Sequence, residues 1–274
     1  MYARERFRQL LRRPDDAIPL AEAALWIAAE AKPDLDVPHY LEEIDRIAAV
    51  AEDALAGAGS EEERVLRLNH ALFVEAGFEG NRESYDDPRN SFLDVVIDSR
   101  TGIPITLSVL YIEIARKLGF DAHGIGFPGH FLSKITTDRG MIVVDPFSGC
   151  TLDLDACAQR LRDVAGPDAR FDPSLLARAS HSAILQRILS NLRHVYCARG
   201  DFEAALACSD RILMISPDEA DAYRDRGLIH QELDCHTAAR QDLDRYLELA
   251  PIDAVDPAIG VILSQLGDKS SRVH

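Results

Sequence analysis

The chain has 274 residues, 46 acidic and 30 basic side chains and a formal net charge of −16, long enough for one large domain or two ordinary ones. Apolar residues at 47% and charged ones at 28% match globular averages and exclude wholesale disorder. The acid surplus argues against a nucleic-acid binder, whose affinity rests on Lys and Arg neutralising phosphates. Five cysteines, odd in number and without a CxxC pair, argue against a disulfide framework or a zinc knuckle and point to a reducing cytoplasm. The Arg-rich start (Arg4, Arg6, Arg8, Arg12, Arg13) reads as a solvated helix face. It leads into Pro14-Asp15-Asp16 instead of an apolar run, so no signal peptide is expected. The stretch 17–31, broken by Glu22 and Glu30, falls short of the roughly 18 uninterrupted apolar residues of a membrane span.

The first eighty residues read as helix. Leu20, Ala23, Ala24, Ile27 and Ala28 recur at helical spacing, and a second helix runs from Pro38 to Ala56 on Ile44, Ile47, Ala48 and Ala51. Ser60 with Glu63 forms a capping box for a third, continuing to Ala76 and stopped by Gly77. A loop of turn formers follows from Gly80 to Asn90, then a helix over 92–99. Pro104 opens the next helix, to Leu118, where a proline's missing N–H is tolerated. That helix is apolar on almost every side, which predicts a buried centre for its domain. The period then changes to two over 122–127, 131–136 and 141–144, an antiparallel meander packed on the buried helix. Helical segments resume from Leu154.

From about Gln186 a 34-residue period emerges: Ala205 and Ala239, Ile212 and Tyr246, Leu213 and Leu247, Pro217 and Pro251. Each pair sits where the tetratricopeptide (TPR) pattern places a small, a large apolar or a proline residue. Two copies are fewer than the three an independent array needs, so the repeats are expected to lean on the preceding domain and on a capping helix over 257–266.

The run Asn90-Ser91-Phe92, Gly102-Ile103-Pro104-Ile105-Thr106-Leu107-Ser108, Pro128-Gly129-His130-Phe131 and Val144-Asp145-Pro146-Phe147 resembles the transglutaminase-like superfamily. More narrowly, it resembles bacterial transglutaminase-like proteins with C-terminal TPR repeats, the Sir B-type invasion-regulator group. The resemblance implies an α+β fold. A papain/transglutaminase-like domain with a helical N-terminal part and a central buried helix on a small antiparallel sheet, residues 1–180, precedes an all-α TPR region, 181–274. It also implies a triad: a Cys at the start of the central helix, a His as base and an Asp as orienter. His130 takes the base position and Asp145 the orienting one, at the start and end of neighbouring strands. The thiol position falls on Pro104, and no Cys occurs between residues 1 and 149.

Several replacements can be weighed. Ser108, one turn further on the same helix face and about 6 Å deeper, is a candidate nucleophile, although a buried serine bonded back to a carbonyl is the plainer reading. Cys150 reads as a semi-buried thiol in a Ser148-Gly149 turn. His130 with Asp145 and His123 lacks a third ligand, so no metal and no cofactor is expected. Asn81, Tyr85, Arg89, Asn90, Pro104 and Gly129 are the candidate cleft residues. Asp87, Asn90 and their neighbours read equally as turn and cap residues. In the repeats, Arg187, His194 and Arg224 occupy groove positions and could grip a peptide carboxylate. The expectation is therefore a cytoplasmic, thiol-less protein acting through a protein or peptide partner held by the TPR helices, with neither nucleic acid nor membrane. The alternative is a hydrolase or acyltransferase using Ser108, His130 and Asp145.

Overall fold

The computed structural model describes residues 2–251, 253 and 255–270, with side chains through 266. The last four residues of the expected TPR region therefore lie outside the described part. Two compact units divide at residues 188 and 189.

In the first unit, α1 (Tyr2–Leu10) turns its arginines onto acids: Arg4 onto Glu30, Arg6 onto Glu22 and Arg8 onto Glu5. Ala and Leu fill α2 (Leu20–Ala31), and nine of its twelve residues are buried. Asp36 caps α3 (Val37–Ala54) by accepting the His39 N–H, and Ser60 caps α4 (Glu61–Asn69) by accepting the Glu63 N–H. The expected continuation of α4 to Ala76 instead widens into a π-helical turn over 70–75. Tyr111 packs against this segment: its hydroxyl donates to Asn69 Oδ1 at 2.8 Å, and its ring stacks on Phe73 at 5.7 Å.

A two-residue strand β1 (Glu79–Gly80) pairs in parallel with β2 (Thr101–Gly102), and α5 (Leu93–Ser99) lies between them in sequence. The central helix α6 (Pro104–Lys117) starts on its proline and buries eleven of fourteen residues. It contacts α2, α3, α5 and the sheet, as expected of a helix without a polar face. The antiparallel sheet has the order β3 (Asp121–Ile125), β4 (Leu132–Thr137), β5 (Gly140–Asp145), β6 (Cys150–Leu152). The fourth strand exceeds the three expected, and β3 ends two residues early because the chain turns at Gly126. α7 (Leu154–Ala165) packs Cys157 and Leu161 against Ile125, Phe127, Leu132 and Val143 of the sheet region.

α8 (His181–Ala198) begins in the first unit. Its first turn is capped from far upstream: Asp15 accepts the N–H groups of His181 and Ser182 at 2.8 and 2.9 Å. Burial alone would raise the Asp15 pKa; the Ser182 and His181 hydrogen bonds hold it below the usual value.

The second unit holds α9 (Phe202–Ile215), α10 (Ala220–Glu232), α11 (His236–Leu249) and α12 (Pro257–Ser270). Ala239, Leu243, Tyr246, Ile259 and Leu266 form its core. Arg226 bridges three helices, with both of its contacts to Asp242 at 2.7 Å and one to Asp210 at 3.0 Å.

Candidate functional site

Asp145 ends β5 with its side chain fully buried. His130 lies in the turn between β3 and β4, two residues before β4, and so not at the strand start expected from sequence. Gly129 makes that turn possible. Its φ is +65°, and a Cβ there would lie 2.5 Å from Val164 Cγ1. The His130 Nε2 sits 2.8 Å from Asp145 Oδ1, which fixes Nε2 as the donor and leaves Nδ1 as the basic nitrogen of the neutral ring. Oδ1 also accepts the Phe147 N–H at 3.1 Å. Oδ2 lies 2.8 Å from Arg160 Nη2 on α7, an ion-pair contact outside hydrogen-bonding angles. Burial pushes the Asp145 carboxyl up, but His130, Ser148 and Arg160 together hold it below the usual carboxylate range.

Backbone hydrogen bonds tie this pair to the start of α6. Asn81 N–H donates to Gly102 O at 2.9 Å, and Gly80 N–H donates to Phe147 O at 3.1 Å. Gly80 is required because a Cβ would meet the Phe147 ring at 2.5 Å. Phe147 is the hub: the His130 ring stands edge-on to it at 5.9 Å and the Tyr85 ring at 6.0 Å.

The loop residues divide in role. Asn90 is buried; its amide donates to Ser84 O and Tyr85 O at 2.6 and 3.1 Å, and its Oδ1 accepts from Asn81 at 2.9 Å. Those bonds hold Tyr85 toward Phe147. Arg89 is folded back onto Asp87 at 2.7 Å, which also caps the 88–91 turn. Its guanidinium is thereby engaged by Asp87.

Ser108 needs correction. It is fully buried, and its Oγ has no hydrogen-bond partner among the described residues. The expected bond back to a helix carbonyl is absent there, as is one to His130. Thr106, two residues earlier and on another face of the helix, does form such a bond, with Ile103 O at 3.1 Å, and a second with Asn90 O at 2.7 Å. Cys150 is exposed on β6, not semi-buried in the preceding turn, and pairs across the sheet with Asp145. Partial desolvation and the Asp145 charge push its thiol pKa up, with Arg160 opposing, so it stays protonated and weakly nucleophilic. His123 lies 2.7 Å from Asp121, and among the described residues no group of three or more His, Cys, Asp or Glu could hold a metal ion.

Of the three groove candidates, Arg187 is placed elsewhere: it belongs to the first unit, with its Cζ 5.8 Å from the Phe131 ring centroid. Arg224 is neutralised by Asp221 and Asp225 at 2.7 and 2.8 Å. His194 lines a cavity of about 380 Å³ with Arg193, Phe202, Asp225 and Leu228. Arg160, Phe147 and Arg82 were missed as site residues. Phe147 stood in the Asp145-Pro146-Phe147 motif of the resemblance without being assigned a role, and Arg160 left only a trace, a basic residue flanking the apolar stripe of Cys157 and Leu161.

The profile of the Transglutaminase-like superfamily matches residues 38–190, and that of the Tetratricopeptide repeat matches 192–267. The chain belongs to the transglutaminase-like superfamily and carries C-terminal TPR repeats. It is similar to the UPF0162 protein of Xylella fastidiosa strain 9a5c, 39% identical over 241 residues and 86% of either chain. The UPF0162 protein of Vibrio cholerae is 32% identical over 252 residues, 92% of either chain. Protein SirB1 of Salmonella typhimurium is 25% identical over 257 residues, covering 93% of this chain and 96% of that one. No solved structure matches. Among the described residues, no helix is long and apolar enough to cross a membrane.

Proposed function

We propose that the chain is a non-catalytic, thiol-less transglutaminase-like protein that works through protein–protein contacts in a regulatory role. One observation carries the reading: the imidazole of His130 is oriented by Asp145, yet among the described residues no thiol or hydroxyl is hydrogen-bonded to it. Proline occupies the first position of α6, where the family resemblance asks for sulfur. An imidazole and carboxylate without a nucleophile retain structure and recognition but lack acyl transfer. The TPR repeats supply the second support, since stacked helix pairs form concave binding surfaces. The regulatory element of the proposal rests on the resemblance to the Sir B-type group.

The test is turnover. Amine incorporation into a glutamine peptide and hydrolysis of aryl esters are measured for wild type and His130→Ala. Indistinguishable background rates are expected, and turnover that disappears in His130→Ala overturns the proposal. The competing reading makes Ser108 the nucleophile and requires its hydroxyl within reach of His130. Labelling of Ser108 by a fluorophosphonate probe would establish it.

A further inference from the structure

In the first unit, α3 and the π-helical turn over 70–75 wall a cavity of about 220 Å³ with Ile47, Val50, Ala51, Ala71, Leu72 and, just beyond the turn, Ala76. Arg100, the residue that ends α5, joins this lining. Its φ of +62° is left-handed backbone, where glycine is the usual choice and a long side chain is strained. Among the described residues the only other non-glycine with a positive φ is Asp234, a type whose short polar side chain tolerates that conformation. π-Helical turns are rare as well and recur at functional sites. Two irregular pieces of backbone thus meet at one cavity.

The charge of Arg100 is unanswered. Its guanidinium lies over the buried Phe78 ring, with Cζ 4.6 Å from the centroid. It makes no ion pair and no side-chain hydrogen bond among the described residues, and Nη1 is buried without a partner. Glu43, the one carboxylate in the lining, is held by Arg46 on its own helix and faces His39 at 3.7 Å. Arg46 is answered in turn by Glu43 and by Glu42 at 3.6 Å. The cavity therefore offers apolar walls and one uncompensated positive group.

We infer that this cavity binds a small monocarboxylic acid with an apolar body, its carboxylate on the Arg100 guanidinium and its body among the alanine and aliphatic walls. Charge complementarity selects an anion, and the planar fork of N–H donors matches a carboxylate. Phe78 anchors the guanidinium without neutralising it. The volume sets the size of the body. A dry apolar cavity of about 150 Å³ accepts benzene, and pockets for drug-sized ligands begin at about 300 Å³. The 220 Å³ here suits a single ring on a two-carbon carboxylate arm, or an alkyl chain of similar bulk, and is too small for a nucleotide. None of the lining comes from the His130–Asp145 pair or from the repeats, so the site is one that the interaction-protein reading does not use.

Binding is measured by calorimetry on the full chain, with 3-phenylpropionate, 3-phenylpropanamide and the tripeptide acetyl-Ala-Ala-Phe, free at its C-terminal carboxylate, as probes. The acid is expected to bind at least tenfold more tightly than its amide, and to weaken between 50 and 300 mM salt as screening requires. Arg100→Gly installs the residue that this backbone prefers and is expected to lose the preference for the acid at an unchanged melting temperature. Should Arg100→Gly fail to fold, Arg100→Asn, which tolerates the same conformation, is expected to lose the preference equally. Equal binding of acid and amide, no binding of either at millimolar concentration, or a preference kept by these variants overturns the inference. Tighter binding of the tripeptide than of the free acid reassigns the cavity to a peptide C-terminus and overturns the small-acid assignment. Binding and turnover are read separately, so failure here leaves the non-catalytic reading standing, and the reverse.

Discussion

Replacing Asp145 by Ala removes the partner of three groups at once: the hydrogen-bond acceptor of His130 Nε2 at 2.8 Å and of the Phe147 N–H at 3.1 Å, and the ion-pair partner of the Arg160 guanidinium at 2.8 Å. Breaking a fully buried ion pair costs about 3–5 kcal/mol. Here His130 and Arg160 keep 12% and 26% of their side-chain surface in water, which lowers the expected loss to about 3 kcal/mol. The single tryptophan, Trp26, lies buried in α2 and reports urea unfolding of the first unit without interference from the repeats. The pH dependence follows from the depressed Asp145 pKa. A carboxylate with a lowered folded-state value stabilises fully above its unfolded value, about 4, and that stabilisation is lost as pH falls through the folded value. The gap between wild type and Asp145→Ala is therefore expected to be flat from pH 6 to 8 and to close below pH 4. A gap under about 1 kcal/mol at pH 7, or one that widens on acidification, refutes the account.

Gly129→Ala combines a positive φ with a collision on Val164 and is expected to cost about 2 kcal/mol or more, read as a fall in the Trp26-monitored urea midpoint. Gly227→Ala gains about 1 kcal/mol of helix propensity but sets a Cβ 2.9 Å from Leu243 and 3.2 Å from the Ala239 carbonyl; a net loss of about 1–2 kcal/mol is expected in thermal melts of the repeat unit. Ser108→Ala removes a buried hydroxyl without a partner and is expected to stabilise by about 1 kcal/mol, visible as a raised urea midpoint. Destabilisation in that variant would mean that the hydroxyl has a partner in solution.

The parts legible in sequence are those fixed by neighbours along the chain. α6 was readable because Pro104 marks its start and apolar residues cover every face. His130 and Asp145 were readable through the resemblance, although His130 lies in the turn before β4 while Asp145 ends β5. β6 was not readable, since Cys150-Thr151-Leu152 is too short for a period to register. Arg187 carries no local mark of its distant partner Phe131, and its repeat-like position gives no sign that it belongs to the first unit. Ser108 shows the limit of a general habit: back-bonding is common for helical serines, but the hydroxyl that uses it here is Thr106.

The cap that Asp15 places on α8 has a consequence for biosynthesis. Its carboxylate and the N–H of His181 are 166 residues apart. At roughly 5–20 residues per second, the ribosome exposes the aspartate on the order of 10–30 s before it delivers the helix that needs it. Throughout that interval the alanine-rich α2 must find its neighbours without this clasp, and joining the ends carries the entropy of a very long loop. The nascent unit is thus latched by a segment near its start and the last of its helices to emerge, and Phe131 can acquire Arg187 only at that closing moment.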